Sequence, residues 1–167
     1  LLCMLCAYST APCEQTAQFT LSTMDGKYIQ SDDLLKKGPV LIAFWAIWCK
    51  DCKNELQALD SVLPEDIRAR ATIVAVTIDT PRSIMLAKSY ITARKIRFLF
   101  CTDPNSELLR QFGGKAIPYT VLLDGDRNVA LRHIGYSPGD EKRILDLLRV
   151  YSSATNTGKP EPSENKR

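Results

Sequence analysis

Several features that would direct the interpretation of this sequence are scarce or missing. The chain contains a single histidine, His133, which excludes a zinc site built from several imidazoles. Its formal net charge is only +3, and no block of lysine and arginine is dense enough to indicate nucleic-acid binding. No run of about 20 apolar residues, the length that spans a bilayer, occurs. What remains is an ordinary globular composition, with 45% hydrophobic and 25% charged residues among 167.

The two ends of the chain differ in composition from the middle. The N-terminal stretch LLCMLCAYSTAPC is apolar and rich in small residues, like the end of a secretory leader, so we expect residues 1–16 to be a leader remnant or linker. Three cysteines whose modification the sequence leaves open lie in this stretch: Cys3, Cys6 and Cys13. The C-terminal stretch, residues 151–167, is polar and is expected to be disordered, because it cannot bury enough apolar area to offset its chain entropy. One domain is expected over residues 17–150.

Strand and helix patterns alternate through the middle of the chain. Two short strand patterns flank the turn signal at Gly26 and predict a hairpin, and continuous apolar runs further on predict buried strands. The predicted strands cover residues 18–21, 27–30, 40–46, 71–79, 98–101, 119–123 and 128–134. Helices are predicted over 32–36 with Ser31 as cap, from Cys49 to Pro64, over 80–95 with Thr80 as cap, within 103–114, and from Ser137 onward. This alternation predicts a three-layer α/β domain around a mixed sheet.

Cys49 and Cys52 form a C-x-x-C motif where a buried strand meets the start of a helix. Unpaired backbone N–H groups and the positive end of the helix dipole favour a thiolate at Cys49. Cys52 lies one turn further along, close enough for a disulfide and shielded by the helix. We therefore expect Cys49 to attack a partner disulfide and Cys52 to resolve the mixed disulfide. Trp48 is suited to cover the pair and to offer a partner an apolar surface.

Other chemistries fit this cysteine spacing less well. A structural zinc site usually needs about four Cys or His ligands, and a copper chaperone also needs a well-placed histidine. A structural disulfide stays open as an alternative, although a strand–helix junction would expose it without need. Cys101, near the end of a predicted strand, is expected to be a buried apolar residue rather than a third redox thiol.

The segment FWAIWCKDC resembles the strand-Trp-Cys-x-x-Cys signature of the thioredoxin superfamily, and the match extends to KAIPYTVLLDGDRNVALRHIGY. The sequence is most similar to the TlpA and ResA-like thiol-disulfide oxidoreductases of that superfamily. The N-terminal hairpin, the helical segment 81–95 and the motif WCKDCKNE carry this likeness, which covers roughly residues 18–150. It implies a thioredoxin-like three-layer α/β/α sandwich with a central mixed sheet and an N-terminal β-hairpin addition.

The resemblance also implies a substrate-binding set. Pro118 occupies the place of the family's cis-proline, which faces the dithiol and precedes a strand. The Ile117–Pro118 bond is therefore expected to be cis, and the backbone beside it would pair with an extended substrate segment. Together with Trp48, Ile117 and Pro118 are the expected substrate-binding residues.

Glu55 is the candidate proton acceptor. It lies three residues after Cys52, hence on the same helix face, and the resemblance supports a carboxylate here. It could take the proton that Cys52 must lose to resolve the intermediate. One departure from the family concerns Ala43, which stands where thioredoxins carry a buried Asp, so Glu55 would have to serve alone.

These features together predict an exported thiol-disulfide oxidoreductase that acts as a reductant or exchanger rather than as a primary oxidant. Expected partners are protein thiols and disulfides and an upstream electron donor; no nucleic acid, cofactor or metal is expected. The expected location is the periplasm or another extracytoplasmic compartment, with a membrane tether at the N-terminus left open. The alternatives are a peptide-binding thioredoxin-like module with a non-catalytic disulfide and a peroxiredoxin-like peroxidase. The segment AFWAIWC lacks the Pro and Thr that precede a peroxidatic cysteine.

Overall fold

A computed structural model describes residues 15–154, which form strands and helices in alternation. The strands are β1 (Thr20–Thr23), β2 (Tyr28–Gln30), β3 (Val40–Trp45), β4 (Thr72–Thr77), β5 (Leu99–Thr102), β6 (Tyr119–Leu123) and β7 (Val129–Ile134). The helices are α1 (Ser31–Leu35), α2 (Lys50–Val62), α3 (Glu65–Arg70), α4 (Ile84–Arg94), α5 (Glu107–Gln111) and α6 (Asp140–Ala154).

The seven strands form one mixed sheet in the order β2-β1-β5-β4-β3-β6-β7. β3 pairs in parallel with β4, and β4 with β5, whereas the remaining neighbours are antiparallel. Every residue of β3 and β6 is buried, as expected for central strands with apolar side chains on both faces. The N-terminal hairpin β1–β2 extends the sheet beyond β5. The predicted mixed sheet and hairpin addition are confirmed.

Helices cover both faces of the sheet, which gives the predicted three layers. Leu34 of α1 and Leu108 of α5 pack in one core with Val40 and Val121. The opposite face carries α2, α3 and α6 through a core that includes Leu59, Ile67, Ile144 and Leu148, while α4 joins this side through Ala87. The carboxyl end of β3 and the start of α2 therefore meet at one edge of the sandwich.

Two predicted helix caps are wrong. Ser31 is the first residue of α1 and is buried. Its Oγ accepts a hydrogen bond from the Phe19 N–H at 3.4 Å, and no side chain caps the start of this helix. Helix α4 begins at Ile84 with Ser83 before it, because the N–H groups of Ser83 and Ile84 both donate to the Thr80 carbonyl in a separate turn.

The C-terminal helix extends past the predicted boundary. Helix α6 runs to Ala154, four residues beyond position 150, because Tyr151 still packs against the core and Ser152 is buried. The rest of the predicted tail, residues 1–14 of the predicted leader and the cysteines Cys3, Cys6 and Cys13 lie outside the described residues, whereas Gln15 forms a bridge with Asn128. No helix within residues 15–154 is long and apolar enough to cross a membrane.

Candidate active site

Cys49 and Cys52 lie at the start of α2 and form a disulfide with a Cα–Cα distance of 5.3 Å. Cys49 is the residue that precedes the helix, and Cys52 is in its first turn. Cys49 retains 9% of its exposure, whereas Cys52 is fully buried. Of the two cysteines, only Cys49 keeps any exposure to solvent.

The backbone at the helix start is directed at the Cys49 sulfur. The N–H of Cys52 donates to Cys49 Sγ at 3.1 Å, and the side chain thus caps α2. A donor in this position and the positive end of the helix dipole stabilise negative charge on that sulfur. Lys50 and Asp51, between the cysteines, are both exposed, and their opposite charges largely cancel in their effect on the Cys49 thiolate.

A buried carboxylate that the sequence analysis missed holds the loop before the cysteines. Asp79, just after β4, accepts hydrogen bonds from Ile47 N–H at 2.8 Å, Thr77 Oγ at 2.6 Å and Ser83 Oγ at 3.1 Å. It therefore ties the loop before Cys49 to the loop before α4. The only sequence signal was an acidic residue at the end of an otherwise apolar strand, which does not reveal a partner more than thirty residues away.

Glu55 is buried on α2, three residues after Cys52, with 1% of its surface exposed. Its Oε1 accepts a hydrogen bond from Thr120 Oγ1 at 2.7 Å, and its Oε2 has no hydrogen-bond partner among the described residues. Burial raises the pKa of Glu55 to about 7, opposed by the Thr120 hydrogen bond and reinforced by the negative charge of Asp140. A carboxyl group with this pKa can both take up and release a proton near neutral pH.

Thr120 links the buried Glu55 to the sheet position of Ala43. Ala43 on β3 is paired with Thr120 on β6, so their side chains lie on the same face of the sheet. Because Glu55 binds Thr120, its carboxyl group reaches from α2 to the sheet position next to Ala43. Thr120 is the second site residue that sequence analysis missed, since its role depends on this strand pairing.

Trp48 and Ile117, two of the three expected substrate-binding residues, line one groove, and Pro118 follows Ile117 directly in the chain. The Ile117–Pro118 peptide bond is cis, as the resemblance implied, and Pro118 is buried directly before β6. Ile117 packs against the core that contains Cys49 and Cys52. Trp48 is 69% exposed and lines, together with Ile117 and Leu109, a groove of about 530 Å³.

Cys101 is separate from this site. It is buried and forms no disulfide, and it packs in the core on the other face of the sheet, with Val76. Burial, assisted by the charge of Asp25, raises the pKa of the Cys101 thiol to about 12. Cys101 is thus the buried apolar residue that the sequence predicted. Within residues 15–154, no cluster of three or more His, Cys, Asp or Glu side chains is arranged to hold a metal ion.

Comparison with known proteins decides the family. The model of the AhpC/TSA family matches residues 12–132. The chain belongs to the AhpC/TSA family. Its curated relatives in this thioredoxin-like group include the thiol-disulfide oxidoreductase ResA of Bacillus thuringiensis, 25% identical over 122 residues, which cover 73% of this chain and 69% of ResA. Another is the thiol:disulfide interchange protein DsbE homolog of Paracoccus denitrificans, 28% identical over 116 residues, which cover 68% of this chain and 61% of that protein.

Solved structures of the AhpC/TSA and thioredoxin-like group confirm the predicted fold. A putative thiol:disulfide interchange protein DsbE from Chlorobium tepidum superposes with a TM-score of 0.71 at 22% identity, covering 83% of this chain and 95% of that one. The predicted family likeness is therefore confirmed, and the predicted enzyme class is the one that the curated relatives carry.

Proposed function

We propose that this protein exchanges electrons with partner proteins through the Cys49–Cys52 pair. In the reducing direction, the Cys49 thiolate attacks a partner disulfide, forms a mixed disulfide and displaces one partner thiolate. The deprotonated Cys52 sulfur then attacks Cys49 and releases the second partner thiolate. Two electrons pass to the partner, and this protein is left with its own disulfide.

The observation that carries this proposal is the unequal placement of the two sulfurs. Cys49 reaches the surface at a helix start that stabilises its thiolate, and Cys52 lies fully buried behind it. A purely structural disulfide requires neither this difference in exposure between its two cysteines nor the helix terminus beneath one of them. This asymmetry favours the exchange reaction over a binding module with an inert disulfide.

Glu55 supplies the acid–base chemistry in this proposal. The Cys52 thiol must lose a proton before it can attack, and it gains one when the reaction runs in reverse. Glu55 lies one helical turn away, and its pKa of about 7 allows both transfers near neutral pH. The burial that raises this pKa also excludes bulk water as the competing proton acceptor.

The groove beside the disulfide is the proposed binding site for the partner segment. Exposed Trp48 and half-buried Ile117 offer apolar contacts, and the backbone of Ile117, next to Pro118, would pair with an extended chain. This arrangement brings the partner's disulfide next to Cys49, the accessible sulfur of the pair.

We propose a reductant or exchanger that acts outside the cytoplasm and is recharged by an upstream electron donor. The apolar, small-residue stretch at residues 1–13 supports export, and the relatives' names support exchange with protein disulfides. The reduction potential of the Cys49–Cys52 couple, measured against glutathione, tests the direction. A value near that of thioredoxin, about −270 mV, supports a reductant, and one near about −120 mV shows an oxidant.

Trapping of mixed disulfides tests the assigned roles. Incubated with a disulfide-bonded peptide, the Cys49→Ser variant is expected to form no adduct, because the exposed nucleophile is gone. The Cys52→Ala variant is expected to accumulate a mixed disulfide at Cys49, measured by mass spectrometry. Cys101→Ala is the control and should exchange like the unchanged protein. Equal trapping by both active-site variants would contradict the assignment.

A further inference from the structure

A line of four polar side chains leads from the interior to the surface of the molecule: Glu55, Thr120, His133 and Asp140. Glu55 binds Thr120 on β6, and Thr120 is the direct cross-strand partner of His133 on β7. Opposite residues on antiparallel strands point to the same face with Cβ atoms about 5 Å apart. His133 Nε2 in turn lies 3.0 Å from Oδ2 of Asp140, at the start of α6. Four elements, α2, β6, β7 and α6, thus bring these side chains to one place.

The outer end of this line is open to solvent, and its inner end is not. The side chains of His133 and Asp140 keep 21% and 25% of their exposure, whereas Glu55 keeps 1%. Glu55 Oε2 is buried without a hydrogen-bond partner among the described residues. The stability of the ionised carboxylate is therefore sensitive to charges further away. Helices α2 and α6 pack against each other, which places the start of α6 beside this face of the sheet.

Asp140 carries a stable negative charge. The Ser137 N–H donates to its Oδ2 at 2.7 Å, and this hydrogen bond, with help from His133, lowers the pKa of Asp140. Its negative charge disfavours ionisation of Glu55. A charged His133, 3.0 Å from Asp140, offsets the negative field of that carboxylate, whereas a neutral His133 does not.

The remaining charged groups in this region lie on the same loop and helix. Tyr136 Oη donates to Glu141 at 3.1 Å, and Glu141 also accepts from the Gly139 N–H at 2.9 Å. The titratable and charged groups around the line are Glu55 on α2, His133 on β7, Tyr136 in the following loop, and Asp140, Glu141, Lys142 and Arg143 on α6. β3 and β6 add Ala43 and Thr120, which do not titrate.

We propose that His133 and Asp140 are positioning residues for proton transfer at Glu55: Asp140 holds Glu55 in its protonated form, and a charged His133 releases it. This inference rests on the proposed role of Glu55 in the exchange reaction. The pair acts through its charge on a carboxyl group that it does not touch, and Thr120 lies between them. The net charge of the surface pair thereby affects the proton at the buried carboxyl group.

The experiment is a direct titration of the Glu55 carboxyl carbon by NMR in the oxidised protein, which requires no exchange activity. Asp140→Asn removes the negative charge and retains a side-chain oxygen that can accept the Ser137 N–H, so Glu55 should titrate about half a pH unit lower. His133→Gln keeps a polar side chain but removes the only group of this pair that can carry a positive charge, so Glu55 should titrate higher. Arg149→Gln, at an exposed position further along α6, is the matched control and should cause no shift.

Opposite shifts in the two variants support the proposal, because loss of packing alone would not move Glu55 in opposite directions. Shifts of the same sign, or none, would overturn it, whatever the exchange activity. The pH profile of the resolving step should move in the same directions and become insensitive to both substitutions in a Glu55→Gln background. If the NMR shifts appear but the profile does not follow them, the coupling stands and the proposed role of Glu55 falls.

Discussion

At the scale of single residues, Glu55 combines opposing influences in one buried carboxyl group. Burial and the charge of Asp140 raise its pKa, and the hydrogen bond from Thr120 lowers it, with a result of about 7. Thr120 therefore does more than fill space on β6: its hydroxyl group stabilises the ionised form of the proposed proton acceptor. Removal of that hydroxyl group should therefore change the pKa of Glu55 without removing any charged side chain.

Thr120→Val should shift the pH profile of the resolving step to higher pH. Valine has a similar shape but no donor, so the Glu55 pKa should rise further above its ordinary value. Single-turnover kinetics of mixed-disulfide resolution between pH 5 and 9 measure this shift. Thr120→Ser, which keeps the hydroxyl group, is the control and should keep the original profile. Identical profiles for the valine and serine variants would show that the hydrogen bond does not tune Glu55.

At the scale of elements, the position of the disulfide depends on two loops as well as on α2. Asp79 joins the loop between β3 and α2 to the loop between β4 and α4, through Ile47 and Ser83. β3 and β4 are parallel neighbours, so both loops leave the sheet at the same edge. One carboxylate thus fixes the approach of the chain to Cys49.

Asp79→Ala should lower the free energy of unfolding by about 3 kcal/mol. Three hydrogen bonds are lost, and the half-buried Ile47 N–H and the buried Thr77 hydroxyl group lose their acceptor. Urea denaturation followed by circular dichroism measures this change, and slower exchange at Cys49 should accompany it. Asp51→Ala, at an exposed position between the cysteines, is the control. A loss no larger than that of the control would mean that Asp79 does not hold the loop.

The elements also show which features are predictable from sequence. β3, β4 and β6 follow from their continuous apolar runs, and the cysteine motif at the start of α2 follows from the strand that precedes it. The starts of α1 and α4 do not, because Ser31 Oγ binds the Phe19 N–H twelve residues earlier and because residues 80–84 form a separate turn before α4. Asp79 and Thr120 were missed because a hydrogen bond between distant segments leaves no local pattern.

At the scale of the whole molecule, the raised pKa of Glu55 couples folding to pH. The folded protein keeps the Glu55 proton up to about pH 7, whereas the unfolded chain releases it near the ordinary value of 4.5. Between these values the folded state binds more protons, so stability falls as pH rises. The lowered pKa values of Asp140 and Glu141 act in the opposite direction, but at more acidic pH.

The oxidised protein should therefore lose up to about 3 kcal/mol of unfolding free energy between pH 5 and 8. Urea denaturation at several pH values in this range measures the loss. The Glu55→Gln variant, which cannot ionise, should show a much flatter dependence over the same interval. If the variant retains the full slope, the proton responsible is bound at another group.

The recessed position of Cys49 also limits which proteins can react. Sulfur atoms must come within about 2 Å of each other to bond, so in the proposed binding mode a reacting disulfide has to enter the groove lined by Trp48 and Ile117. Disulfides that protrude on loops or occur in unfolded chains can do this, whereas those inside a finished domain cannot. In that binding mode, shape alone would discriminate between disulfides of unfolded and of folded partners, without reading their sequence.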